Sequence, residues 1–396
     1  MKRIIIGADV VPEGMSGRDP IPYFTSGEMT NIVSQEIIDL FSSADLRVVN
    51  LECPLTDVED KLQKSGPNIM APTSTIKGYQ TLGVDLVTIA NNHILDQSIS
   101  GFKSTLKTLD DAGIKYVGGG MDYEEAIKPQ IFEVGGKKIG FYATCQHEFS
   151  WVQDYGSGAN GFDPLYSLDH IAELKAQCDY VIVLYHAGVE HYRYTSPYEQ
   201  RNCRRMIEKG ADLVLMQHTH CISCEEDYKG GKIVYGQGDF IFDHSEWESA
   251  RSGLLVTIDI EGDEFKIGYI PVERNDGFVS LSNNPEILEN YFKRSDEIKD
   301  PKFLEDVYYD YGRQRVHWFT NGIMGYYSSK WIRFLVEKRD AKRGNKFMLE
   351  NNRSRRLVTN YITNPAHREL YINVFAKYTE KEAEWQAKQQ DEKKKK

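Results

Sequence analysis

Short apolar runs alternate with amphipathic stretches along the first 275 residues of this 396-residue chain. The runs are rich in Val, Ile and Leu at consecutive positions, which is typical of strands buried on both faces. They cover residues 4–6, 46–51, 86–90, 138–143, 180–185 and 213–216. Residues 101–112, 168–177 and 197–209 have the apolar spacing of amphipathic helices, and Gly83, Gly113 and Gly210 stand where helices commonly end. This alternation predicts an α/β fold with a sheet at its core.

The pattern becomes mainly β after the last of these runs. Residues 232–235, 253–260 and 264–272 have strand character and are separated by short turns such as Glu261-Gly262-Asp263. We therefore expect a β-rich segment that completes the first domain.

From residue 281 onward the pattern is mainly helical. Asn364-Pro365 is a typical helix start, and Leu370, Val374 and Tyr378 recur at every fourth position as an apolar stripe. Residues 389–396 form a charged tail that we expect to be disordered. We predict two domains, 1–280 and 281–396, the second being a mainly helical extension.

Composition narrows the class of protein. Hydrophobic residues make up 40% of the chain and aromatic residues 12%, which is enough for a large core and excludes a wholly disordered chain. No stretch reaches the roughly 20 apolar residues of a membrane span. The N-terminus also lacks the roughly 7–15 apolar residues of a secretory signal. Six scattered cysteines are too few for a disulfide-dense fold. These features predict a cytoplasmic protein.

Charge is distributed unevenly between the two predicted domains. Residues 1–275 contain 24 basic and 41 acidic side chains, whereas residues 276–396 contain 24 basic and 18 acidic ones. The second part interleaves cations with aromatics, for example at Arg315, Trp318, Trp331 and Arg333. This could indicate nucleic-acid binding, a grip on an anionic polymer, or solvated helix faces. The acidic first part makes nucleic acid the less favoured partner.

Polar residues with metal-ligand chemistry follow five of the predicted strands. In open α/β sheets, sites form where the strands stop at their carboxyl ends. The residues are Asp9 after 4–6; Asn50 and Glu52 at the end of 46–51; Asn92, His93 and Asp96 after 86–90; His186 and Glu190 after 180–185; and His218 and His220 after 213–216. A single histidine would mean little, but five such strand ends indicate a shared site.

The types of ligand point to a pair of metal ions. Carboxylate oxygens and imidazole nitrogens without thiolates suit divalent Mn, Zn or Fe. Two carboxylates, an Asn carbonyl and three imidazoles are too many ligands for one tetrahedral ion. They suit two ions about 3.5–4 Å apart that share a bridging carboxylate and a water.

At these positions the sequence resembles the CapA family, which is associated with poly-γ-glutamate capsule synthesis and has a calcineurin-like metallophosphatase fold. The similar motifs are Asn50-Leu51-Glu52, Asn91-Asn92-His93-x-x-Asp96, His186-x-Gly188-x-Glu190, Gly210-Ala211-Asp212-Leu213-Val214 leading into His218-Thr219-His220, and Gly238-Asp239-Phe240-x-Phe242-Asp243. The resemblance runs from about residue 4 to 272. It implies a four-layer sandwich of mixed β-sheets flanked by helices.

The resemblance also implies a role for each site residue. It gives metal ligation to Asp9, Glu52, Asn92, His186, His218 and His220, with Glu52 as the bridging carboxylate. It makes His93 the acid that protonates the leaving group, and Asp96 the carboxylate that orients His93. The remaining residues, Asn50, Glu190 and Asp239, would contact the substrate or support the metal ligands. For Glu190, an ordinary charged residue on the surface is an equally good interpretation.

Several positions depart from the pattern that the resemblance leads one to expect. Val11 stands where metallophosphatases have a metal-binding His, and Glu52 stands in place of Asp. Gln217 replaces the usual glycine before His218, and Asp239 replaces the usual Asn. One ion of the pair would therefore have fewer protein ligands.

A structural zinc site is an alternative for part of this region. Cys221-x-x-Cys224 directly follows the two histidines, and together they could ligate one zinc ion. A strand through this stretch would point residues 221 and 224 to opposite faces of the sheet, which disfavours the alternative.

Two functions of different class remain. The leading hypothesis is a dinuclear-metal-dependent hydrolase that acts on a phosphoester or a related anionic small molecule or polymer. Its role would lie in capsule, poly-γ-glutamate or exopolysaccharide biosynthesis, with the capsule-synthesis machinery as its partner. The rival is a non-catalytic polymer-binding or assembly component that retains the fold. The strand-end ligands favour the first hypothesis, and Val11 favours the second.

Overall fold

The computed structural model describes residues 1–13, 18–242, 247–324, 352–374 and 381. Asp243 of the last motif, the predicted tail at 389–396 and most of the cation-rich stretch lie outside these residues. The described contacts group into two units: residues 1–62 with 67–299, and residues 63–66 with 300–396. The helix at 285–297, which the sequence analysis placed in the second domain, belongs to the first unit.

The six predicted buried strands are all present in the first unit. The strands are β1 Lys2–Val10, β2 Leu46–Leu51, β3 Leu86–Thr88, β4 Lys115–Val117, β5 Gly119–Gly120, β6 Gln130–Val134, β7 Lys137–Cys145, β8 Gly158–Ala159, β9 Tyr180–His186, β10 Leu213–Gln217, β11 Glu225–Tyr228, β12 Gly231–Val234, β13 Asp239–Ile241, β14 Ser252–Glu261, β15 Glu264–Asn275 and β16 Phe278–Leu281. β-Branched runs such as Ile4-Ile5-Ile6 favour the extended backbone and fill the space on both sides of the sheet.

Helices connect the strands. They are α1 Ile21–Ser26, α2 Gln35–Ser43, α3 Ile76–Thr81, α4 Ser98–Ala112, α5 Tyr123–Ala126, α6 Val152–Tyr155, α7 Ser167–Lys175, α8 Pro197–Glu208, α9 Pro285–Glu297, α10 Pro301–Met324 and α11 Asn352–Thr363. The chain marks several of their ends locally. Ser196 accepts a hydrogen bond from the backbone N–H of Glu199 at the start of α8, and Gly113 ends α4 in the left-handed region at φ 72°.

The described strands form two large sheets and one small pair. The first sheet has the order β16-β15-β14-β1-β2-β3-β4, and β13 also pairs with β1. The second sheet has the order β11-β12-β10-β9-β7-β6, while β5 pairs with β8. Strands β1 to β4 run parallel to one another, as do β7, β9, β10 and β12. The carboxyl ends of each parallel set therefore lie at one edge of its sheet.

A single hydrophobic cluster contains residues of both large sheets, such as Ile5 and Val48 from the first and Phe141 and Leu184 from the second. Helices α7 and α8 contact the second sheet, and α2 and α4 contact the first. This arrangement confirms the predicted α/β class, with mixed sheets flanked by helices.

The described residues of the second unit are mainly helical, as predicted for this part of the chain. Asn364 caps the helix at 365–374, because its Oδ1 accepts a hydrogen bond of 2.9 Å from the N–H of Ala366. Leu370 and Val374 of the predicted apolar stripe are buried, and a side chain at Gly312 of α10 would collide with both. Tyr378 lies outside the described residues. Among the described helices, none combines the length and the apolar character that a membrane crossing requires.

Candidate metal centre

Five of the predicted ligands come together from the two large sheets. Asp9 lies near the end of β1 and Glu52 directly follows β2, both in the first sheet. His186 ends β9, and His218 and His220 follow β10, in the second sheet. The site therefore lies where the carboxyl ends of both parallel sets meet, which is the location expected for sites in α/β sheets.

These five residues form two overlapping groups of potential ligands. The first trio is Asp9, Glu52 and His220, and the second trio is Glu52, His186 and His218. Within each trio the potential ligand atoms all lie within 4.8 Å of one another, and every member is buried. Glu52 belongs to both trios, which is the position that a carboxylate bridging two ions would need.

The environment of Glu52 fits a cation. Its side chain is 0% exposed, and among the described residues neither carboxylate oxygen has a hydrogen bond of normal geometry. Burial is the largest influence on this carboxyl and raises its pKa to about 8. A buried carboxylate is costly unless a cation or hydrogen-bond donors compensate it. A divalent ion on either side of Glu52 would supply that compensation, so the donor set fits the ions that the sequence predicted.

Asparagine side chains connect the two trios. His186 Nε2 lies 2.9 Å from Asn92 Oδ1 and 3.3 Å from Glu52 Oε1, so the Asn92 oxygen is in place to join the second trio. Asn50 Nδ2 donates to Asp9 Oδ1 at 2.7 Å and lies 3.4 Å from His186 Nδ1. Burial lowers the pKa of His186 to about 4, which leaves a neutral imidazole, the form that binds metals.

The two histidines after β10 have unusual backbones. His218 has φ 90° and His220 has φ 50°, both in the left-handed region that side chains other than glycine rarely adopt. The N–H of His218 lies 3.3 Å from Asp9 Oδ2. Strain of this kind persists where the surrounding structure fixes it and is concentrated at functional sites. Here it turns two nearby imidazoles towards different trios.

A carboxylate and a guanidinium support His220. Asp239 Oδ1 lies 2.8 Å from His220 Nδ1, and Arg274 donates to the backbone oxygen of Asp239 at 2.5 Å. Burial acts to lower the pKa of His220, but the carboxylates of Asp239, Glu52 and Asp9 outweigh it and raise that pKa well above its usual value. Carboxylate partners of this kind orient metal-binding imidazoles.

His93 and Asp96 form a second buried carboxylate–imidazole pair. His93 Nδ1 lies 2.7 Å from Asp96 Oδ2, and the same oxygen accepts a hydrogen bond of 2.8 Å from the N–H of Ile69. Asn91 Oδ1 accepts from the N–H of His93, and Asn91 Nδ2 donates to Asn50 Oδ1 at 3.0 Å. These bonds link the pair to the asparagines of the two trios.

The sequence analysis did not identify Gln146 and Glu148. Gln146 Nε2 donates to His218 Nε2 at 3.1 Å, and Glu148 Oε2 lies 3.9 Å from the same nitrogen. Both residues follow β7, so the strand-end rule that found the other residues would also have found these. Asn91 was likewise given no role of its own.

The alternative zinc site finds no support. Cys221 and Cys224 are both buried. In the part of the chain that the structure describes, the groups that could hold an ion contain no cysteine.

Comparison with known proteins adds a family match. A family model described as Bacterial capsule synthesis protein PGA_cap matches residues 14–244, more than half of the chain. Capsule biosynthesis protein CapA of Bacillus anthracis is 28% identical over 240 residues, which cover 57% of this chain and 57% of that protein. PGA biosynthesis protein CapA of Bacillus subtilis (strain 168) is 26% identical over 257 residues, which cover 64% of this chain and 67% of that protein. The chain thus spans less than two thirds of the Bacillus anthracis relative.

Two solved structures show weaker likenesses. A hypothetical protein from Thermus thermophilus aligns with a TM-score of 0.43 at 17% identity and covers 69% of this chain and 100% of that one. The 5′-nucleotidase precursor from the same organism aligns with a TM-score of 0.40 at 13% identity and covers 71% of this chain and 54% of that one. At TM-scores below 0.5, neither likeness indicates a function.

Proposed function

The chain belongs to the bacterial capsule synthesis protein PGA_cap family, and from this premise we propose that it is a metal-dependent hydrolase of a phosphoester or a related anionic substrate. The membership confirms the resemblance noted in the sequence. The proposed role lies in capsule, poly-γ-glutamate or exopolysaccharide biosynthesis, in association with the capsule-synthesis machinery. The chemistry, the substrate and the partner are our proposals.

The observation that carries the proposal is the shared position of Glu52. This carboxylate is buried, belongs to both trios and has no hydrogen bond of normal geometry among the described residues. A protein that only binds a polymer would not need buried imidazoles and carboxylates arranged around such a group. The residues would hold two divalent ions of Mn, Zn or Fe. One ion would be held by Asp9, Glu52 and His220, and the other by Glu52, Asn92, His186 and His218.

When bound, such a pair of ions neutralises charge on a phosphoryl oxygen and lowers the pKa of water. The remaining chemistry belongs to the protein. We assign to His93 the proton that the leaving oxygen needs. Asp96, 2.7 Å from His93 Nδ1, fixes the orientation of this ring and raises its basicity. The N–H of Ile69 holds Asp96 in turn, so the donor is supported by the backbone.

A non-catalytic assembly or polymer-binding component is the second candidate, and Val11 favours it. Val11 is buried two residues beyond Asp9 and has no side-chain donor atom. The first trio therefore contains three protein ligands where the resemblance leads one to expect a fourth. A weakly held ion at this place would leave the fold intact but reduce hydrolysis.

Paired variants test the proposal on protein purified without chelator. We expect His218→Ala to lose bound metal and activity together, because it removes an imidazole ligand. His93→Ala should keep its metal and lower turnover by about 10²–10⁴-fold, the usual effect of general acid catalysis. Metal content is read by elemental analysis and turnover with alkyl phosphate esters. With an activated aryl phosphate, the defect of His93→Ala should shrink, because its leaving group needs little protonation.

Two outcomes would contradict this assignment. Equal losses of metal in both variants would show that His93 is a ligand rather than a proton donor. Metal-loaded protein that hydrolyses neither phosphomonoesters, nor phosphodiesters, nor γ-glutamyl polymers would favour the assembly role.

A further inference from the structure

Glu190 lies at the solvent-facing side of the two trios. Its carboxylate forms a third group of potential ligands with His218 and His220, in which all ligand atoms again lie within 4.8 Å of one another. Glu190 is exposed, whereas both histidines are buried. His220 belongs to the first trio and His218 to the second, so Glu190 lies within 4.8 Å of a potential ligand atom of each trio while remaining open to solvent.

The backbone on both sides of Glu190 is fixed, although its side chain is exposed. The N–H of Gly188 donates to Gln146 Oε1 at 3.0 Å, and Gln146 Nε2 donates back to the oxygen of Gly188 at 3.3 Å. After Glu190, the N–H of His191 donates to the oxygen of Thr219 at 2.8 Å. Gly188 has φ 118°, and a Cβ there would lie 2.7 Å from Thr219 Cγ2. This packing holds the carboxylate beside His218 and His220.

The charge of Glu190 acts on both trios. Burial is the main influence on Glu52 and on His186, but Glu190 also raises the pKa of each. Val11 offers no donor atom, so the first trio has three protein ligands. A carboxylate on the solvent side adds a ligand without entering the core.

We propose that Glu190 is a displaceable metal ligand, which closes the ion pair from the solvent side until an oxyanion of the substrate takes its place. The inference rests on the proposed function, because it requires ions in the trios. It specifies the substrate as one with a compact, solvent-accessible oxyanion, either phosphoryl or carboxylate, since such a group has the charge and the donor atoms of the carboxylate that it replaces.

Titration of Mn²⁺ into the metal-stripped full chain tests the ligand role. Glu190→Gln keeps the shape of the side chain and removes its charge, and we expect the affinity for Mn²⁺ to fall about 10–100-fold, the range for loss of a supporting group at a metal site. Glu248→Gln is the matched control. Glu248 is a neighbouring acidic residue whose side chain is 83% exposed and pairs with Arg193, so its variant should bind Mn²⁺ like the wild type.

Inorganic phosphate tests the displacement. With saturating Mn²⁺, Glu190→Gln should bind phosphate about 5–150-fold more tightly than wild type, because the anion no longer competes with a carboxylate. Unchanged affinities for both Mn²⁺ and phosphate would overturn the role of Glu190 while leaving the metal site standing. Weaker Mn²⁺ binding without tighter phosphate binding would overturn the displacement. A wild-type chain that binds no Mn²⁺ would instead overturn the proposed function itself.

Discussion

At the scale of single residues, burial makes it harder for the acidic groups of the centre to lose their protons in the absence of metal. Burial raises the pKa of Glu52 to about 8, and burial together with Glu52 raises the pKa of Asp9 well above its usual value. A carboxyl must lose its proton before it can ligate an ion. Protons and metal ions therefore compete for the same oxygens.

This competition predicts how metal affinity depends on pH. Glu52 is mainly protonated below about pH 8 and ionised above it, so the first ion that binds to it below pH 8 must displace this proton. We expect the affinity for Mn²⁺ to rise between pH 6.5 and 8 by about tenfold per pH unit for each proton displaced. The raised pKa of His220 acts in the same direction. Calorimetric titrations at several pH values measure the slope.

Glu13→Gln provides the control for that slope. Burial also raises the pKa of Glu13, but its carboxylate accepts a hydrogen bond from the N–H of Met70 and belongs to neither trio. Its variant should keep the wild-type slope. An affinity that does not change between pH 6.5 and 8 would show that Glu52 does not have to lose a proton on binding.

The sequence could indicate which residues lie at the candidate site, but it could not indicate how they group into two trios. Asp9, Glu52 and His186 could be found because each follows an apolar run that is hard to read as anything but a buried strand. Glu52 belongs to both trios because of how the two sheets meet, and no local sequence pattern records how two sheets meet. Gln146 also directly follows a strand, so the same pattern points to it as well.

At the scale of elements, the strands that are buried on both faces are the ones whose sequences identify them as strands. The central strands β1, β2, β9 and β10 are almost entirely buried and stand out as apolar runs. Edge strand β11 is only partly buried and has three acidic residues among its four, so its sequence resembles a loop, and edge strand β6 is also only partly buried. Strand β13 has three residues and owes its conformation to β1 and β14 rather than to its own composition.

The turn before β13 shows how an element positions a site residue. Gly238 has φ 73°, and a Cβ at this position would lie 2.7 Å from the oxygen of Ser252 and 3.1 Å from Cα of Gly253. Gly238→Ala would therefore combine backbone strain with a clash against backbone that cannot easily yield. The next residue is Asp239, so any shift of the turn would move the partner of His220.

We expect Gly238→Ala to lower the free energy of unfolding by more than about 1 kcal/mol and to weaken metal binding. Gly262→Ala is the matched control, because Gly262 has a similar φ of 62° but open space around the missing Cβ. It should show only the cost of strain and keep the wild-type metal affinity. Thermal unfolding and Mn²⁺ titration of both variants make the comparison. Equal effects in the two would mean that the contacts around Gly238 do not matter.

At the scale of the whole molecule, the change in composition and the division of the described contacts fall at different places in the chain. The composition changes near residue 280, whereas the first unit extends to Lys299. Helix α9 explains the difference, because it has the charged surface of the following region but a buried side that packs on the first unit. Arg294 donates to the oxygens of Ser223 and Ile222, and Tyr291 OH donates to Glu225. These contacts are long-range and leave no local signal.

All ligands of both trios belong to the first unit, so metal should stabilise that unit. Binding to the folded state at an ion concentration of 100 times Kd contributes about 2.7 kcal/mol, which corresponds to a rise in Tm of roughly 5 °C for a unit of this size. The ions would also compensate the negative charge of the buried carboxylates of Asp9 and Glu52. Calorimetry of the full chain with Mn²⁺ and with chelator measures the shift. If two transitions are resolved, only the temperature of one should change.

His218→Ala, which lacks a residue of the second trio, should show a smaller rise in Tm. An equal rise would mean that the stabilising ion binds elsewhere.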